Sequence, residues 1–299
     1  MKNKIFIPIV VILLVALYTG VSNYSLKEIN TEDLDVSKFI EIADEVSENK
    51  AQINWKYVAS IIGVIQKNNF KSVDTDKIKY ISNLFLEEST DEYKLNNLDL
   101  VLDKLNLKKK EKNRVTNYIE DLKYFGLKPE RLGADTKYTK FIDNLKDDAI
   151  DNYKTYKVLP SITIAQAILE SGWGESSLAK DYNNLFGIKA DIYWSGSSVT
   201  LETTEFEDTK INDKFRKYDN QGDSLKDHAK FLAENKRYKN NGVFDMNTYI
   251  YQAKALEKAG YSTAMDENGK KLYASRLIEI IRQYNLQIID SEVQSENLK

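Results

Sequence analysis

The 299-residue chain contains no cysteine and a single histidine. It therefore has no disulfide framework, no thiolate zinc or iron–sulfur site and no cysteine nucleophile, and one histidine cannot build a multi-histidine metal centre. A Ser-His-Asp arrangement is excluded unless His228 is its base. Only 3 prolines and 12 glycines are present, which argues against a glycine-rich nucleotide fold and for long, uninterrupted helices. Positive charge is not in excess: 43 Lys and Arg stand against 46 Asp and Glu, a net −3, so nucleic acid is not an expected partner. With 42% hydrophobic and 30% charged residues the chain is neither a disordered polyelectrolyte nor a polytopic membrane protein, and its length suits about two domains.

Charge is also missing from one long stretch. Lys2 and Lys4 precede Ile5 to Leu26, which carries none, and Lys27 is the next charged residue. Its strongest part, IFIPIVVILLVALYTGV from Ile5 to Val21, predicts a signal anchor or transmembrane helix over residues 1–26. Lys2 and Lys4 would keep its N-terminus cytoplasmic, placing everything after about Ser25 on the extracytoplasmic side of the cell membrane. The alternative is a secretory signal that is removed, for which Gly20 and Ser22 offer only a weak cleavage spacing. A lipoprotein anchor needs a cysteine and is excluded.

From Val36 to about Tyr156 apolar residues recur at intervals of three and four, as in Phe39, Ile40, Ala43 and Val46, then Val58, Ile61, Ile62 and Ile65, then Ile78, Ile81, Leu84 and Phe85. This predicts a helical array, with Asp74 or Thr75 capping one of its members. The lysines around Lys108 to Lys112 suit a solvated helix start. Alternation around Ser198 to Phe206 and Lys214 to Tyr218, with the polar stretch Glu207 to Asp213 as the connector, predicts a long β-hairpin. Amphipathic helices follow at Gln221 to Glu234, Asn247 to Lys258 and Lys270 to Tyr284, then a polar tail, residues 290–299, expected to be disordered.

The chemical signal is PSITIAQAILESGWGESSLAKDYNNLFGIK, Pro160 to Lys189. Ser161 can cap a helix whose face of Ile164, Ala165, Ile168 and Leu169 is apolar, and Gly172, Trp173 and Gly174 permit a sharp stop after Glu170 and Ser171. A carboxyl beside an indole wall is disfavoured as an anion, the condition for a general acid near neutral pH. The plainer alternative is a Glu that ends a surface helix.

The whole string resembles the bacterial endo-β-N-acetylglucosaminidases of glycoside hydrolase family 73, which cut peptidoglycan. AQAILESGWGESSLA and NNLFGIK, then the hairpin with TEF (Thr204 to Phe206), FRKYDN, SLKDHAKFL and AGYSTAMDENGKKLYASRLIEII, follow in order over roughly residues 140 to 286. The segment Gln52 to Phe70 resembles helices of membrane-anchored cell-wall glucosaminidases that carry a helical domain before the catalytic one. The expectation is a mainly α protein: an anchor (1–26), an N-terminal helical domain (27–137) and a lysozyme-like catalytic domain with a β-hairpin (138–289).

The resemblance implies Glu170 as general acid, Glu205 on the hairpin as second catalytic group, and Tyr261 as the cleft tyrosine. Glu202 and Glu207 rival Glu205; Glu202 belongs to the opposite sheet face. Asn184, Gly187, Tyr193 and Trp194 are the substrate-binding candidates, whereas Trp173, Leu185, Phe186 and His228 suit packing. No metal or organic cofactor is implied. The implied activity is hydrolysis of the β-1,4 bond after N-acetylglucosamine in peptidoglycan glycan strands, with the membrane and an integral-membrane protein as further partners. A lytic transglycosylase and a non-catalytic wall-binding scaffold are the alternatives.

Overall fold

The computed structural model describes residues 28–88, 93–205 and 209–296. Among them no helix is long and apolar enough to cross a membrane; the uncharged segment assigned to the anchor lies outside the described residues.

The first part packs α1 (Val36–Ser47), α2 (Trp55–Ile65), α3 (Thr75–Asn83), α4 (Leu98–Lys104) and α5 (Lys109–Asp121). Local sequence explains their starts. Asp35, Asn54, Asp74 and Asn97 each precede a helix and accept a hydrogen bond from a first-turn amide. Apolar faces of these helices meet in a cluster of buried residues from Ile29 to Leu122, with Trp55 fully enclosed. A small antiparallel sheet, β1 (Leu86–Glu88) with β2 (Tyr93–Leu95), interrupts the array expected to be purely helical. Three residues per strand are too few for alternation to emerge from the surrounding helical period.

The second part runs through α6 (Pro129–Leu132), α7 (Lys137–Tyr156), α8 (Pro160–Ser171), α9 (Ser177–Tyr182), β3 (Ser198–Glu205), β4 (Thr209–Arg216), α10 (Gln221–Glu234), α11 (Lys236–Asn240), α12 (Tyr249–Lys258), α13 (Tyr273–Gln283) and α14 (Gln287–Glu296). Its own buried cluster extends from Leu132 to Ile289, and α8 is its axis, packed by α7, α12, α13 and α14. β3 and β4 pair antiparallel from Ser198↔Arg216 to Glu205↔Thr209, so the polar stretch at 209–213, expected to be a connector, is part of the second strand. The ladder can include polar residues because this hairpin packs no second sheet.

The tail expected to be disordered from residue 290 is instead helical through Glu296, with Asp290, Ser291 and Val293 buried. Composition misled because α14 is polar at positions that hydrogen-bond inward. Asp290 takes the Ser161 amide at 2.9 Å and its hydroxyl at 2.5 Å, and the Gln294 side chain accepts from the Gln52 amide at 2.8 Å. Further bonds join the two clusters. The Trp55 indole N–H donates to Asn285 Oδ1 at 3.2 Å, and Asp44, only 6% exposed, binds Arg282 at 2.9 Å and takes the Tyr249 hydroxyl.

Candidate active site

Helix α8 is buried on every face along its first nine residues. Its N-terminus has no local cap. Leu159 precedes Pro160, and Ser161, expected to cap from its own side chain, lies inside the first turn and hands its amide and hydroxyl to Asp290. A carboxyl group from a distant helix thus does the work of the missing cap.

At the other end Gly172, Trp173 and Gly174 all take left-handed backbone conformations, with φ of 58°, 65° and 73°. That is ordinary for glycine and costs a tryptophan ~1–3 kcal/mol. The indole offsets it by packing edge-on against Tyr138, Phe141 and Tyr284, at ring separations of 4.7, 5.8 and 4.6 Å. Ser171 fixes the turn, its hydroxyl donating to the Ala167 carbonyl and accepting from the Gly174 amide at 2.7 Å. Trp173 is a packing residue, as expected.

Glu170 sits two residues before that stop and is exposed, so its carboxyl opens to solvent while protein crowds it from behind. Desolvation raises its pKa above the ordinary carboxylate range, and a hydrogen bond from Tyr273 acts in the opposite direction. Its position at a helix C-terminus, where the backbone dipole disfavours an anion, works the same way as desolvation. The wall beside the carboxyl differs from the expectation: the indole is committed to its aromatic cluster, and phenols face Glu170 instead.

Those phenols form a network. The Gln166 side chain, one turn before Glu170 on the same face, donates to the Tyr273 hydroxyl at 2.8 Å. Tyr273 stacks on Tyr261 with ring centroids 4.9 Å apart, and the Tyr261 hydroxyl lies 2.9 Å from His228 Nε2. His228 is stacked on Phe186 at 3.8 Å and is 1% exposed; burial drives its pKa down to about 3, so the ring is neutral and structural. Burial and the nearby Glu170 charge hold the Tyr261 hydroxyl protonated. Tyr261 therefore does belong beside Glu170. Tyr273 and Gln166 were missed, although a lone Gln within an apolar helical run four residues before the candidate acid was a usable signal.

The remaining candidates divide. Glu205 ends β3 opposite Thr209; its side chain, like all of Glu207, lies outside the described residues. Glu202 is exposed further down the strand, paired with Asn212. Asn184 must be withdrawn from the sugar-binding set. It is 1% exposed and its side chain is spent on fastening its own loop, donating to the Ile188 and Arg216 carbonyls at 3.0 and 2.8 Å and accepting from the Ile188 amide at 3.0 Å. Gly187 is exposed at φ 63°, with open space where a side chain would be. Trp194 is half-buried, its N–H donated to the Ser197 carbonyl at 2.9 Å and its ring stacked by the Arg216 guanidinium at 4.4 Å. It braces its loop, and Tyr193, 86% exposed, is the side chain that loop presents.

An exposed carboxyl with a raised pKa, backed by two phenols at the end of a buried helix, is equipped to protonate a leaving oxygen. Residues 146–286 match the glucosaminidase family, described as mannosyl-glycoprotein endo-β-N-acetylglucosaminidase. This segment is a glucosaminidase domain. Over 158 residues the chain is 43% identical to the exo-glucosaminidase LytG of Bacillus subtilis strain 168, covering 50% of this chain and 52% of the relative. It is 37% identical over 147 residues to the peptidoglycan hydrolase FlgJ of Vibrio parahaemolyticus, covering 46% and 47%. Among solved structures, the catalytic domain of the autolysin Auto from Listeria monocytogenes is 36% identical, with 52% of this chain and 89% of that one covered at a TM-score of 0.45. The chain spans about half the length of the curated relatives it matches. The glucosaminidase domain so delimited contains Glu170, the hairpin, Tyr261 and Tyr273, but neither Asp290 nor Asp44.

Proposed function

We propose that the glucosaminidase domain hydrolyses the β-1,4 bond between N-acetylglucosamine and N-acetylmuramic acid within peptidoglycan glycan strands, as an endo-acting enzyme. The observation that carries this is Glu170, solvent-accessible yet held above the usual carboxylate range. The relatives are themselves named as a glucosaminidase and a peptidoglycan hydrolase. In this reading Glu170 gives its proton to the glycosidic oxygen as the bond from C1 breaks, and positive charge develops at C1 and the ring oxygen. Two routes then fit. Water attacks C1 while Glu205 takes its proton, or the substrate's 2-acetamido oxygen closes on C1 with Glu205 assisting, and water opens that ring with the Glu170 carboxylate as base. Tyr261 lines the cut site with a hydroxyl that stays protonated.

The uncharged segment 5–26 supports a further part of the proposal, a single-pass membrane anchor that keeps the domain on the extracytoplasmic side and offers an integral-membrane protein a helix to pair with. Mass spectrometry of purified glycan strands tests the chemistry. New reducing-end N-acetylglucosamine inside long strands is the expected product. Single sugars released only from strand ends would make the enzyme exo-acting, anhydro-muramic ends would make it a lytic transglycosylase, and intact strands would make it a scaffold. Glu170→Gln is expected to lose ~10²–10⁴-fold in rate with an unchanged fold. Glu205→Gln should lose much of the rate and Glu202→Gln little, because residues three apart on a strand project to opposite faces. Equal activities for the two would remove Glu205 from the mechanism.

A further inference from the structure

Ile192 and Tyr193 are adjacent, and at 89% and 86% exposed they are the most solvent-accessible large apolar side chains among the described residues. Such a pair on a floppy loop would mean little. This loop, residues 191–197, is instead fixed at every turn. The Tyr193 amide donates to Asp191 Oδ1 at 3.0 Å and the Trp194 amide to the Asp191 carbonyl at 3.1 Å. Gly196 lets the Trp194 ring lie against the backbone, since a Cβ there would run into the indole. Arg216 stacks on that indole and is gripped by both oxygens of Asp227, at 3.0 and 2.8 Å, while the Tyr218 hydroxyl donates to Asp227 at 2.6 Å. A rigid mount that presents two apolar groups to water is the signature of a contact surface.

Beside it lies a groove of about 720 Å³, lined by Tyr193, Trp194 and Phe231 together with Arg216, Lys230 and Glu234 among others. Its charges are mixed, with Arg216 paired to Asp227 and Lys230 to Glu234, so no large excess of one sign faces the groove, which suits a ligand rich in hydroxyl and amide groups with at most isolated carboxyls. An aromatic edge with convergent polar side chains is the composition that grips a pyranose, the ring against the apolar C–H face and the polar groups on its hydroxyls. The groove is also mechanically joined to the catalytic network. Asp227, which holds Arg216 and so the loop, and His228, which meets Tyr261, are consecutive residues of α10.

We propose that residues 191–197 and this groove form a distal glycan subsite, where Ile192 and Tyr193 carry a sugar of the strand beyond those held at Glu170. The ligand's identity rests on the hydrolase reading, whereas the test below reads binding and stands apart from turnover. In a Glu170→Gln background, titration calorimetry with peptide-free glycan strands is expected to show affinity falling about tenfold on adding Ile192→Ser with Tyr193→Ala, the ~1.4 kcal/mol of one aromatic contact. Tyr193→Phe, which keeps the ring, should restore most of it. In the active enzyme the ratio of kcat/KM on long strands to that on a tetrasaccharide should drop by a similar factor. Unchanged affinity for peptide-free strands would overturn the proposal. So would a loss seen only with peptide-bearing strands, which would assign the groove to the stem peptide.

Discussion

Asp290 holds the N-terminus of the helix that carries Glu170, and its protonation should be visible in the stability of the whole chain. The carboxyl is fully buried, with the Ser161 amide and hydroxyl as its hydrogen-bond donors, and burial pushes its pKa to about 7. In the unfolded chain an Asp titrates near ~3.9. Between those values the folded protein keeps a proton that the unfolded chain has released, so stability is greatest below about pH 4, declines as pH rises, and levels off above about pH 7. From pH 5 to pH 8 the decline spans roughly two pH units at ~1.36 kcal/mol each, or about 2–3 kcal/mol. Asp290→Asn is neutral at every pH and should remove this component while keeping an acceptor for Ser161. Urea midpoints of both proteins at pH 5, 6, 7 and 8 measure it: the wild-type curve should fall more steeply than the variant's by that amount. Parallel curves would show that Asp290 is ionised throughout and that its cap does not depend on the proton.

Tyr273→Phe removes the hydrogen bond that favours the Glu170 carboxylate, so the carboxyl should be raised further and the alkaline limb of the pH–rate profile should move to higher pH; a limb that stays or moves down refutes the link. Gly196→Ala drives a Cβ into the Trp194 indole and should cost ~1–3 kcal/mol, read as a lower melting temperature with altered tryptophan fluorescence. Arg282→Met leaves Asp44 buried without its cation and should destabilise the chain by ~3–5 kcal/mol in urea titration, with much smaller losses for exposed pairs such as Lys79–Glu45.

Much of this was legible along the chain because the signals are local. Helix α10 begins and ends at the expected residues, Asp74 caps α3, and the placement of Glu170 before a glycine stop follows from neighbouring residues alone. What escaped was long-range. Nothing near Asp290 in sequence says that its carboxyl meets Ser161, 129 residues away, so a polar C-terminus read as a tail. Asn184 is a substrate-binding candidate by sequence; only the carbonyls it fastens distinguish a loop brace from a sugar contact. Trp194 likewise suits sugar binding by sequence, but the guanidinium of Arg216, 22 residues on, occupies its ring.

The same long-range contacts bear on what the N-terminal cluster contributes. Helix α13 starts at Tyr273, against Glu170, with its first turn capped by the Glu257 carboxylate on the Ala274 amide at 2.9 Å, and ends at Arg282, bound to Asp44 of α1. Helix α14 seals α8 through Asp290 and meets the N-terminal cluster through Gln294 and Gln52. The two helices that meet the two ends of α8 are therefore the two that the N-terminal helices grip. An ion pair buried between such elements contributes little net stability against an apolar contact of the same shape, but its geometry is selective: Asp44 accepts Arg282 and Tyr249 together in one relative placement of α1, α12 and α13. The N-terminal helices thus act on the glucosaminidase domain from behind the helix that carries Glu170, by fixing where α13 and α14 stand, and the position of the Tyr273 phenol at the Glu170 carboxyl depends on contacts outside the segment that the family match covers.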